Sequence, residues 1–382
     1  MISRAAIETP NAEALSTGQS PSAPPQKEYP QPGASAAGHR QIGADALIQH
    51  LQRVIHGVLR PLLPPGPLCL VDYPNHANVG DSAIWLGEIA YLSRTLGVQP
   101  AYCCSRTDYA AAELKEAAPE GAILLHGGGN FGTLWPAYQE FRIELMERFP
   151  GRPIIQLPQS IHFSNESAIA DAARAIRRHG AFTLLVRDHM SFEFARSNFD
   201  CQVHLCPDMA FCIGGTRRRA PNADLLCLLR TDKERKSEIH VPDHAGTIVM
   251  DWLEEVRSER RSAKLHAFAR AILAGSSRTA RRRARYQAYA LHRYRRGVRI
   301  LSQGRAVISD RLHAHIISTL LDLPHVVLDN SYGKLSSFVT SWTSALGSAR
   351  CADSMDEAIA QARDLLASSD ADRPHACGYP MR

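Results

Sequence analysis

The chain has 382 residues, of which 45% are hydrophobic, and this is enough to fill the cores of two ordinary domains. It has no apolar run of about eighteen residues and no apolar N-terminal segment, which argues against a membrane-spanning helix and against export. Nine cysteines occur without a C-x-x-C pair, a pattern that disfavours structural zinc and favours reduced thiols. The net charge of +6 is concentrated in residues 278–299, which hold nine arginines and no acid.

Predicted strands and helices alternate along most of the chain. We predict a disordered tail over residues 1–42, which are rich in Pro, Ala, Ser and Gly, and then a helix over 44–59. Strands are predicted over residues 68–72, 122–125, 153–157 and 183–186, and helices over 81–95, 136–148, 167–179 and 191–197. A second series has strands over 225–229, 247–250, 306–309 and 325–328, a partly helical segment over 251–273, and helices over 311–322 and 355–367.

This alternation predicts an α/β protein with parallel sheets that are covered by helices on both faces. Glycines, three arginines and a proline break the pattern over residues 214–222, and we place a domain boundary there. The predicted organisation is one α/β domain over 43–215, a second over 216–350, and a terminal helix and tail over 351–382.

Five polar or glycine-rich turns are predicted at the sheet edge where parallel α/β proteins bind ligands. They are residues 74–81, 126–132, 158–163, 187–188 and 206–211. A sixth segment, residues 309–315, joins a strand to a helix in the second domain and carries Arg311 and His313. The free N–H groups of a helix start already favour an anion, so this segment predicts a site that binds a phosphate or carboxylate and transfers a proton.

Each turn also has an interpretation without a function. Asp81 could cap a helix that begins at Ser82, and Arg187 could form a surface ion pair. His162 could be structural, and Asp208 could only stabilise its turn. Five such turns on one rim nevertheless favour a shared site.

The second turn contains Gly127, Gly129 and Gly132, which fit the dinucleotide-binding pattern G-x-G-x-x-G. Pro136 interrupts the helix that follows and the next strand ends without an acid, so the sequence argues against NAD binding. The preceding His126 completes a loop like the oxyanion loop of esterases, but the chain has no G-x-S-x-G elbow. The remaining prediction is a loop whose backbone approaches a ligand closely.

The arginine-rich segment 278–299 carries three tyrosines and has helical spacing. It has three interpretations, ranked in this order: a solvated helix packed along one stripe, a contact with anionic lipid headgroups, and a nucleic-acid site. Because no nucleic-acid motif accompanies the segment, we expect no nucleic-acid partner.

Together the six segments resemble the polysaccharide pyruvyl transferase family over about residues 68–345. The matching motifs are Asn75 to Ile84, His126-Gly127-Gly128-Gly129-Asn130, Pro158-Gln159-Ser160, Arg187-Asp188, Pro207-Asp208 and Ser309 to His313. Ala314 stands where many relatives have glycine. The resemblance implies two Rossmann-like domains that face across a cleft, as in GT-B glycosyltransferases. It also implies transfer of the pyruvyl group of phosphoenolpyruvate to a sugar, which forms a pyruvate ketal on an exopolysaccharide or cell-surface glycan.

The residues suit this chemistry. Arg187 and Arg311, one from each domain, are predicted to bind the phosphate and carboxylate of phosphoenolpyruvate, because a guanidinium pairs with either group. His313 is the predicted general acid, Asp81 is predicted to accept a hydroxyl proton, and His162 to assist or to hold the donor. The predicted substrate-binding residues also include Asn78, Gly128, Gly129 and Asn130. We expect no metal and no cofactor, with phosphoenolpyruvate as the donor substrate.

Two alternatives stay open on the sequence. One is a GT-B glycosyltransferase that uses a nucleotide sugar, and the other is an inactive scaffold or glycan-binding subunit of an export complex. The expected partners are phosphoenolpyruvate and a glycan acceptor, with a lipid-linked repeat unit and the membrane surface as further candidates. We expect the protein in the cytoplasm, free or peripheral at the inner face of the cell membrane.

Overall fold

The computed structural model describes residues 41–231, 241, 246–253, 255–329 and 334–371. Of the predicted tail over residues 1–42, all but the last two lie outside these ranges, and Ile42 forms a bridge to Leu346. The predicted terminal segment 351–382 is described as far as residue 371. No helix in the described ranges combines the length and apolar character that crossing a bilayer requires.

The first sheet comes from the N-terminal half of the chain, and all of its strand pairs are parallel. Its strands are β1 (Cys69–Val71), β2 (Tyr102–Cys104), β3 (Ile123–Leu125), β4 (Gly128–Gly132), β5 (Ile154–His162), β6 (Phe182–Val186) and β7 (Gln202–Leu205), in the order β2-β1-β3-β5-β6-β7 with β4 beside β5. The accompanying helices are α1 (Ala44–Leu59), α2 (Val79–Ala90), α3 (Ala111–Ala117), α4 (Pro136–Arg148), α5 (Glu166–His179) and α6 (His189–Asn198). Strands β1, β2 and β3 are buried throughout, as parallel strands between two helix layers must be.

The second sheet comes from the C-terminal half and is also parallel. Its strands are β8 (Ala223–Leu228), β9 (Thr247–Met250), β10 (Gly304–Ser309), β11 (His325–Leu328) and β12 (Ala349–Ala352), in the order β12-β11-β10-β8-β9. The helices of this half are α7 (Arg257–Leu273), α8 (Arg278–Leu301), α9 (Leu312–Leu320), α10 (Lys334–Trp342) and α11 (Met355–Ala371). The predicted α/β class with parallel sheets is therefore confirmed.

Both sheets place their first strand between the second and the third. This order creates one switch point in each sheet, between β1 and β3 in the first and between β8 and β10 in the second. Ligands of open parallel sheets bind at the carboxyl ends of the strands at such points, because the adjacent connections leave in opposite directions and open a crevice. The topology therefore marks the residues after these four strands as the place to look for a site.

The predicted domain boundary at residues 215 and 216 falls between the two sheets, yet both sheets share one core. Leu70 of β1 and Leu226 of β8 belong to the same hydrophobic cluster, and α2 packs against α8. Gly297 of α8 permits that contact, since a Cβ there would lie 2.2 Å from Val79 Cγ1. All described residues belong to one compact unit, and a division into two domains across a cleft stays a prediction.

Helix α8 packs along one face, as its sequence favours, but its arginines are not all solvated. Arg282, Arg293 and Arg296 are buried. Arg293 Nη1 donates a hydrogen bond to the carbonyl oxygen of Pro74 at 3.3 Å, and Arg296 Nη2 donates one to that of Ala77 at 2.7 Å. The first-ranked interpretation is therefore right about the packed stripe and wrong about the charge, because Arg282, Arg293 and Arg296 are buried and two of them hold the loop after β1.

Two segments predicted as turns belong to the sheet. Residues 128–132 form β4, and β5 continues five residues past its predicted end at Leu157, from Pro158 to His162. The two segments pair with each other, Gly128 with Gln159 and Gly132 with His162. Glycine and proline disfavour strands, so the backbone groups here need partners from elsewhere in the fold: the mutual pairing supplies some, and side chains such as Gln159 and Gln139 accept from the N–H groups of Asn130 and Gly132. The sequence analysis also missed β2, β7, β12, α3 and α10.

Candidate active site

A cavity of about 490 Å³ opens at the switch points of both sheets. The N-terminal half contributes Asn78, Asp81, His126, Asn130, Ser160 and Arg187 to its lining. The C-terminal half contributes Arg230 after β8, Arg311 after β10, and also Trp252 and His313. Among the described residues, the lining includes three arginines and three histidines but one carboxylate, Asp81, so the cavity favours a small anion.

Seven of the nine predicted site residues line this cavity. They are Asn78, Asp81, Gly129, Asn130, Arg187, Arg311 and His313. Gly128 lies just beside it, since a Cβ there would be 3.5 Å from Asp81 Oδ1. His162 lies at the end of the unpredicted extension of β5 and does not line the cavity. We therefore assign His162 no role in the reaction.

Arg187 is held by two partners at the carboxyl end of β6. Its Nη1 donates to Asp208 Oδ2 at 2.6 Å and its Nε to Ser160 Oγ at 2.9 Å. Arg187 is 5% exposed, so the surface ion pair considered from the sequence is wrong. A Cβ on Gly129 would lie 3.4 Å from Arg187 Nη2, and within the described chain no hydrogen bond uses that nitrogen. Gly129 thus leaves one edge of the guanidinium open to a ligand.

Asp208 joins Arg187 to His313. Its Oδ1 accepts a hydrogen bond from the backbone N–H of Ala210 at 2.8 Å, which is the turn-stabilising role considered from the sequence. Its Oδ2, which contacts Arg187, also lies 3.5 Å from His313 Nε2, an ion-pair distance without hydrogen-bond alignment. Burial by itself would raise the pKa of Asp208, but His313 and Arg187 outweigh burial and hold it below its ordinary value. The carboxylate is therefore charged at neutral pH and positions both groups.

The start of α2 approaches His313 closely. Asn78 caps this helix, since its Oδ1 accepts a hydrogen bond from the N–H of Gly80 at 3.0 Å. A Cβ on Gly80 would lie 2.4 Å from His313 Nδ1, so this approach needs glycine. Asp81 is not the cap, and that interpretation is wrong. Its Oδ2 accepts a hydrogen bond from Asn78 Nδ2 at 2.9 Å, and its carboxylate faces the cavity.

Arg311 occupies the N-cap position of α9. It is 4% exposed, its Nη2 donates to Asp251 Oδ2 at 2.7 Å, and its backbone N–H donates to Ser309 Oγ at 3.1 Å. The sequence analysis missed Asp251, which lies sixty residues away in the chain. It also missed Arg230, although Arg230 closely follows β8 in the way that Arg187 follows β6.

Hydrogen bonds from two neighbouring side chains orient the side chain of Asn130. Its Oδ1 accepts hydrogen bonds from Arg142 Nη2 at 3.0 Å and from Gln159 Nε2 at 2.9 Å. Arg142 is 1% exposed, so its hydrogen bond to Asn130 is shielded from water. With its oxygen occupied, Asn130 presents its amide N–H₂ group, which among the described residues makes no hydrogen bond. Asn130 is thus set up as a donor to a ligand oxygen.

His126 is a further residue of the cavity, which the sequence analysis included in the turn 126–132 without giving it a role. It precedes the predicted glycine loop, lines the cavity and is 2% exposed. Its Nδ1 lies 2.9 Å from Glu88 Oε2, while Glu88 Oε1 accepts a hydrogen bond from the N–H of Gly127 at 2.9 Å. Burial favours neutral His126, but the Glu88 charge outweighs it, so the pKa of His126 is raised. The structure therefore adds a buried imidazole, paired with a carboxylate, to the cavity wall.

Asp72, which directly follows β1, makes the stability of the protein depend on pH. It is 1% exposed, and its Oδ1 has no hydrogen-bond partner among the described residues. Burial raises the pKa of Asp72 to about 7. The folded state therefore keeps this proton to higher pH than the unfolded state does, and the free energy of unfolding falls as pH rises from about 4 to about 7. We expect Asp72→Asn to gain stability relative to wild type across that window, as measured by urea unfolding at several pH values.

Asparagine suits this position because residue 72 has φ +70°, a conformation that asparagine tolerates. The matched control is Asp171→Asn, at an exposed carboxylate on α5. Its stability difference from wild type should stay constant across the window. A constant difference for Asp72→Asn as well would contradict the raised pKa.

Fold and cavity together define an α/β protein with an arginine- and histidine-lined cavity at the switch points of two parallel sheets. A sequence profile described as polysaccharide pyruvyl transferase matches residues 78–332. Pyruvyl transferase 1 of Schizosaccharomyces pombe is 32% identical over 317 residues, which cover 76% of this chain and 74% of that protein. Putative pyruvyl transferase EpsO of Bacillus subtilis is 28% identical over 305 residues, which cover 78% of this chain and 92% of that protein. The chain therefore belongs to the polysaccharide pyruvyl transferase family.

The family and its relatives make this chain a pyruvyl transferase, which confirms the resemblance noted in the sequence. Among solved structures, an uncharacterized protein of Klebsiella pneumoniae is similar with a TM-score of 0.50 and 17% sequence identity. The match covers 80% of this chain and 99% of that one. At this identity the similarity concerns the fold alone, and it agrees with an α/β architecture of the Rossmann-like kind.

Proposed function

We propose that this pyruvyl transferase takes its pyruvyl group from phosphoenolpyruvate and joins it to two hydroxyl groups of one sugar in a cell-surface glycan. The observation that supports this most strongly is that Arg187 and Arg311, from different sheets, line one cavity together with His313. Phosphoenolpyruvate carries a phosphate and a carboxylate on three carbons. Two guanidinium groups match those two anions, and a nearby imidazole can supply the proton that the enol carbon needs.

The helix starts at the cavity add to the attraction for anions. Asn78 caps α2 and Arg311 stands at the cap of α9, and both residues line the cavity. The N-terminal end of a helix carries a partial positive charge and unpaired N–H groups. The donor amide of Asn130 supplies one more hydrogen bond for a ligand oxygen.

The proposed reaction begins when His313 donates a proton to the methylene carbon of phosphoenolpyruvate, which makes the adjacent carbon electrophilic. A sugar hydroxyl attacks that carbon while Asp81 accepts its proton. The bond from this carbon to the phosphate oxygen then breaks, and phosphate leaves with the electron pair. A second hydroxyl of the same sugar attacks and closes the ketal. Of the two hydroxyl protons, one restores His313 and the other leaves with phosphate, so the reaction balances without a cofactor.

Aromatic side chains at the cavity offer a surface for the acceptor. Trp135, which is 44% exposed, and Tyr138 both line the cavity beside Asn130. An aromatic ring packs well against the apolar face of a sugar while its polar edge hydrogen-bonds to hydroxyl groups. We place the acceptor sugar on this side and the donor at the arginines.

Phosphate release tests the proposal. We expect phosphate only when the protein, phosphoenolpyruvate and a glycan acceptor are all present, together with a pyruvylated acceptor in the mass spectrum. Thermal unfolding should show stabilisation by phosphoenolpyruvate. Stabilisation by nucleotide sugars alone would indicate a glycosyltransferase instead, and binding without turnover on any acceptor would indicate an inactive glycan-binding subunit.

We further propose that the enzyme works in the cytoplasm on a lipid-linked repeat unit. The eight described cysteines are free thiols, in agreement with a reducing compartment. Glycans from cells with and without the gene should differ by a pyruvyl group. The same group should already be present in the lipid-linked fraction, and its absence there would place the reaction after polymerisation.

A further inference from the structure

Helix α7 carries its large apolar side chains on the outside of the protein. Its buried residues are Ala263 and Ala267, and it packs against α8. The exposed fractions are 73% for Leu265, 65% for Phe268, 57% for Ile272 and 80% for Leu273 at the helix end. A surface helix normally shows the reverse arrangement, with large apolar side chains inside.

The exposed side chains form one row. Leu265, Phe268 and Ile272 are spaced three and four residues apart, so they fall on one face of the helix. At roughly 100° per residue, this face lies about opposite to the buried alanines. The small residues therefore allow α7 to lie close on α8, and the row points away from the protein.

Basic side chains surround this row. Helix α7 contains five basic residues and one acid, Glu259, which pairs with Arg299. Arg257, Arg261 and Lys264 are exposed and project on the same side as the row or on its flank. The exposed face thus combines insertable apolar groups with positive charge that forms no ion pair within the described part of the chain.

We propose that α7 is a membrane-surface helix that places Leu265, Phe268 and Ile272 among the headgroups of an anionic bilayer. The long side chains of arginine and lysine can reach lipid phosphates while the apolar row inserts. Charge complementarity favours such a surface over a second copy of the chain, which would bring like charges together. Three or four side chains also provide far less area than a stable protein interface buries.

This surface differs from the one that the sequence suggested. In the arginine-rich segment 278–299, Arg282, Arg293 and Arg296 are buried, and Arg278 and Arg282 both pair with Glu113. The sequence analysis predicted no surface role for α7, because its charged residues are mixed with apolar ones. The inference does not rest on the proposed donor or acceptor, since it concerns a face outside the cavity.

Vesicle co-sedimentation of the full chain tests this inference. We expect binding to vesicles that contain equal parts of phosphatidylcholine and phosphatidylglycerol, and little binding to phosphatidylcholine alone. Leu265→Glu with Phe268→Glu should reduce the bound fraction by about tenfold, since both lost apolar burial and added negative charge oppose insertion. Arg261→Gln with Lys264→Gln should weaken binding at low salt more than at high salt, because salt screens the charged contribution.

The control is Met190→Glu, which adds a negative charge, one where the double variant adds two, at another exposed apolar position, 53% exposed on α6. It should bind vesicles like wild type. Unchanged thermal unfolding and unchanged phosphate release with a soluble acceptor should show that the α7 variants are folded. The inference would be overturned by equal vesicle binding of wild type and the double glutamate variant, or by no binding of wild type. It would equally fail if light scattering showed a dimer that the double variant abolishes.

Discussion

Arg311→Lys is expected to lower kcat/KM for phosphoenolpyruvate about 10²–10³-fold, the loss typical of one preorganised donor to a developing anion. Lysine keeps the charge and can still pair with Asp251, so the fold should survive. What is lost is the planar fork of the guanidinium, which donates to Asp251 at 2.7 Å and whose geometry matches a carboxylate or phosphate better than an ammonium does. Phosphate release at varied phosphoenolpyruvate concentration measures the change, and thermal unfolding with the donor should show weaker stabilisation.

The control for this prediction is Arg295→Lys, at an exposed position on α8. It makes the same chemical change away from the cavity and should leave kcat/KM unaltered. Wild-type kinetics in Arg311→Lys would remove this guanidinium from the donor site and with it the central argument of the proposed function.

His313→Gln is expected to lower kcat about 10²–10⁴-fold, the range for loss of a general acid. Glutamine resembles histidine in size and can contact Asp208, but it cannot deliver a proton to carbon. Binding of phosphoenolpyruvate should persist, because Arg187 and Arg311 remain in place. This combination, low turnover with retained donor binding, separates the variant from Arg311→Lys, in which binding itself weakens.

Gly80→Ala tests the role of His313 in turnover in a second way. A Cβ there would lie 2.4 Å from the imidazole Nδ1, so the ring must shift while its chemistry stays intact. We expect kcat to fall in this variant too, and by less than in His313→Gln. His50→Gln, at an exposed position on α1, is the control and should be fully active. Undiminished kcat in His313→Gln would show that another group protonates the enol, and His126 would be the first candidate.

The sequence alone determined the elements whose pattern is local. Helices α1 and α4 and strands β9 and β11 have the bounds that periodicity predicted. A helix or strand of this kind depends on the spacing of neighbouring residues, which can be read directly. The polar turns were also informative, because in a parallel sheet the carboxyl ends of the strands must lie at one edge. For this reason seven of nine predicted site residues line one cavity.

Only the tertiary structure decided what depends on segments far apart in the chain. The extension of β5 exists because β4 pairs with it, and Arg282, Arg293 and Arg296 of α8 are buried because that helix packs on the N-terminal half. Asp251 and Asp208 set the orientation of Arg311 and Arg187 from sixty and twenty-one residues away. Such hydrogen bonds and ion pairs form only when packing has brought both partners out of water, so no local sequence pattern predicts them.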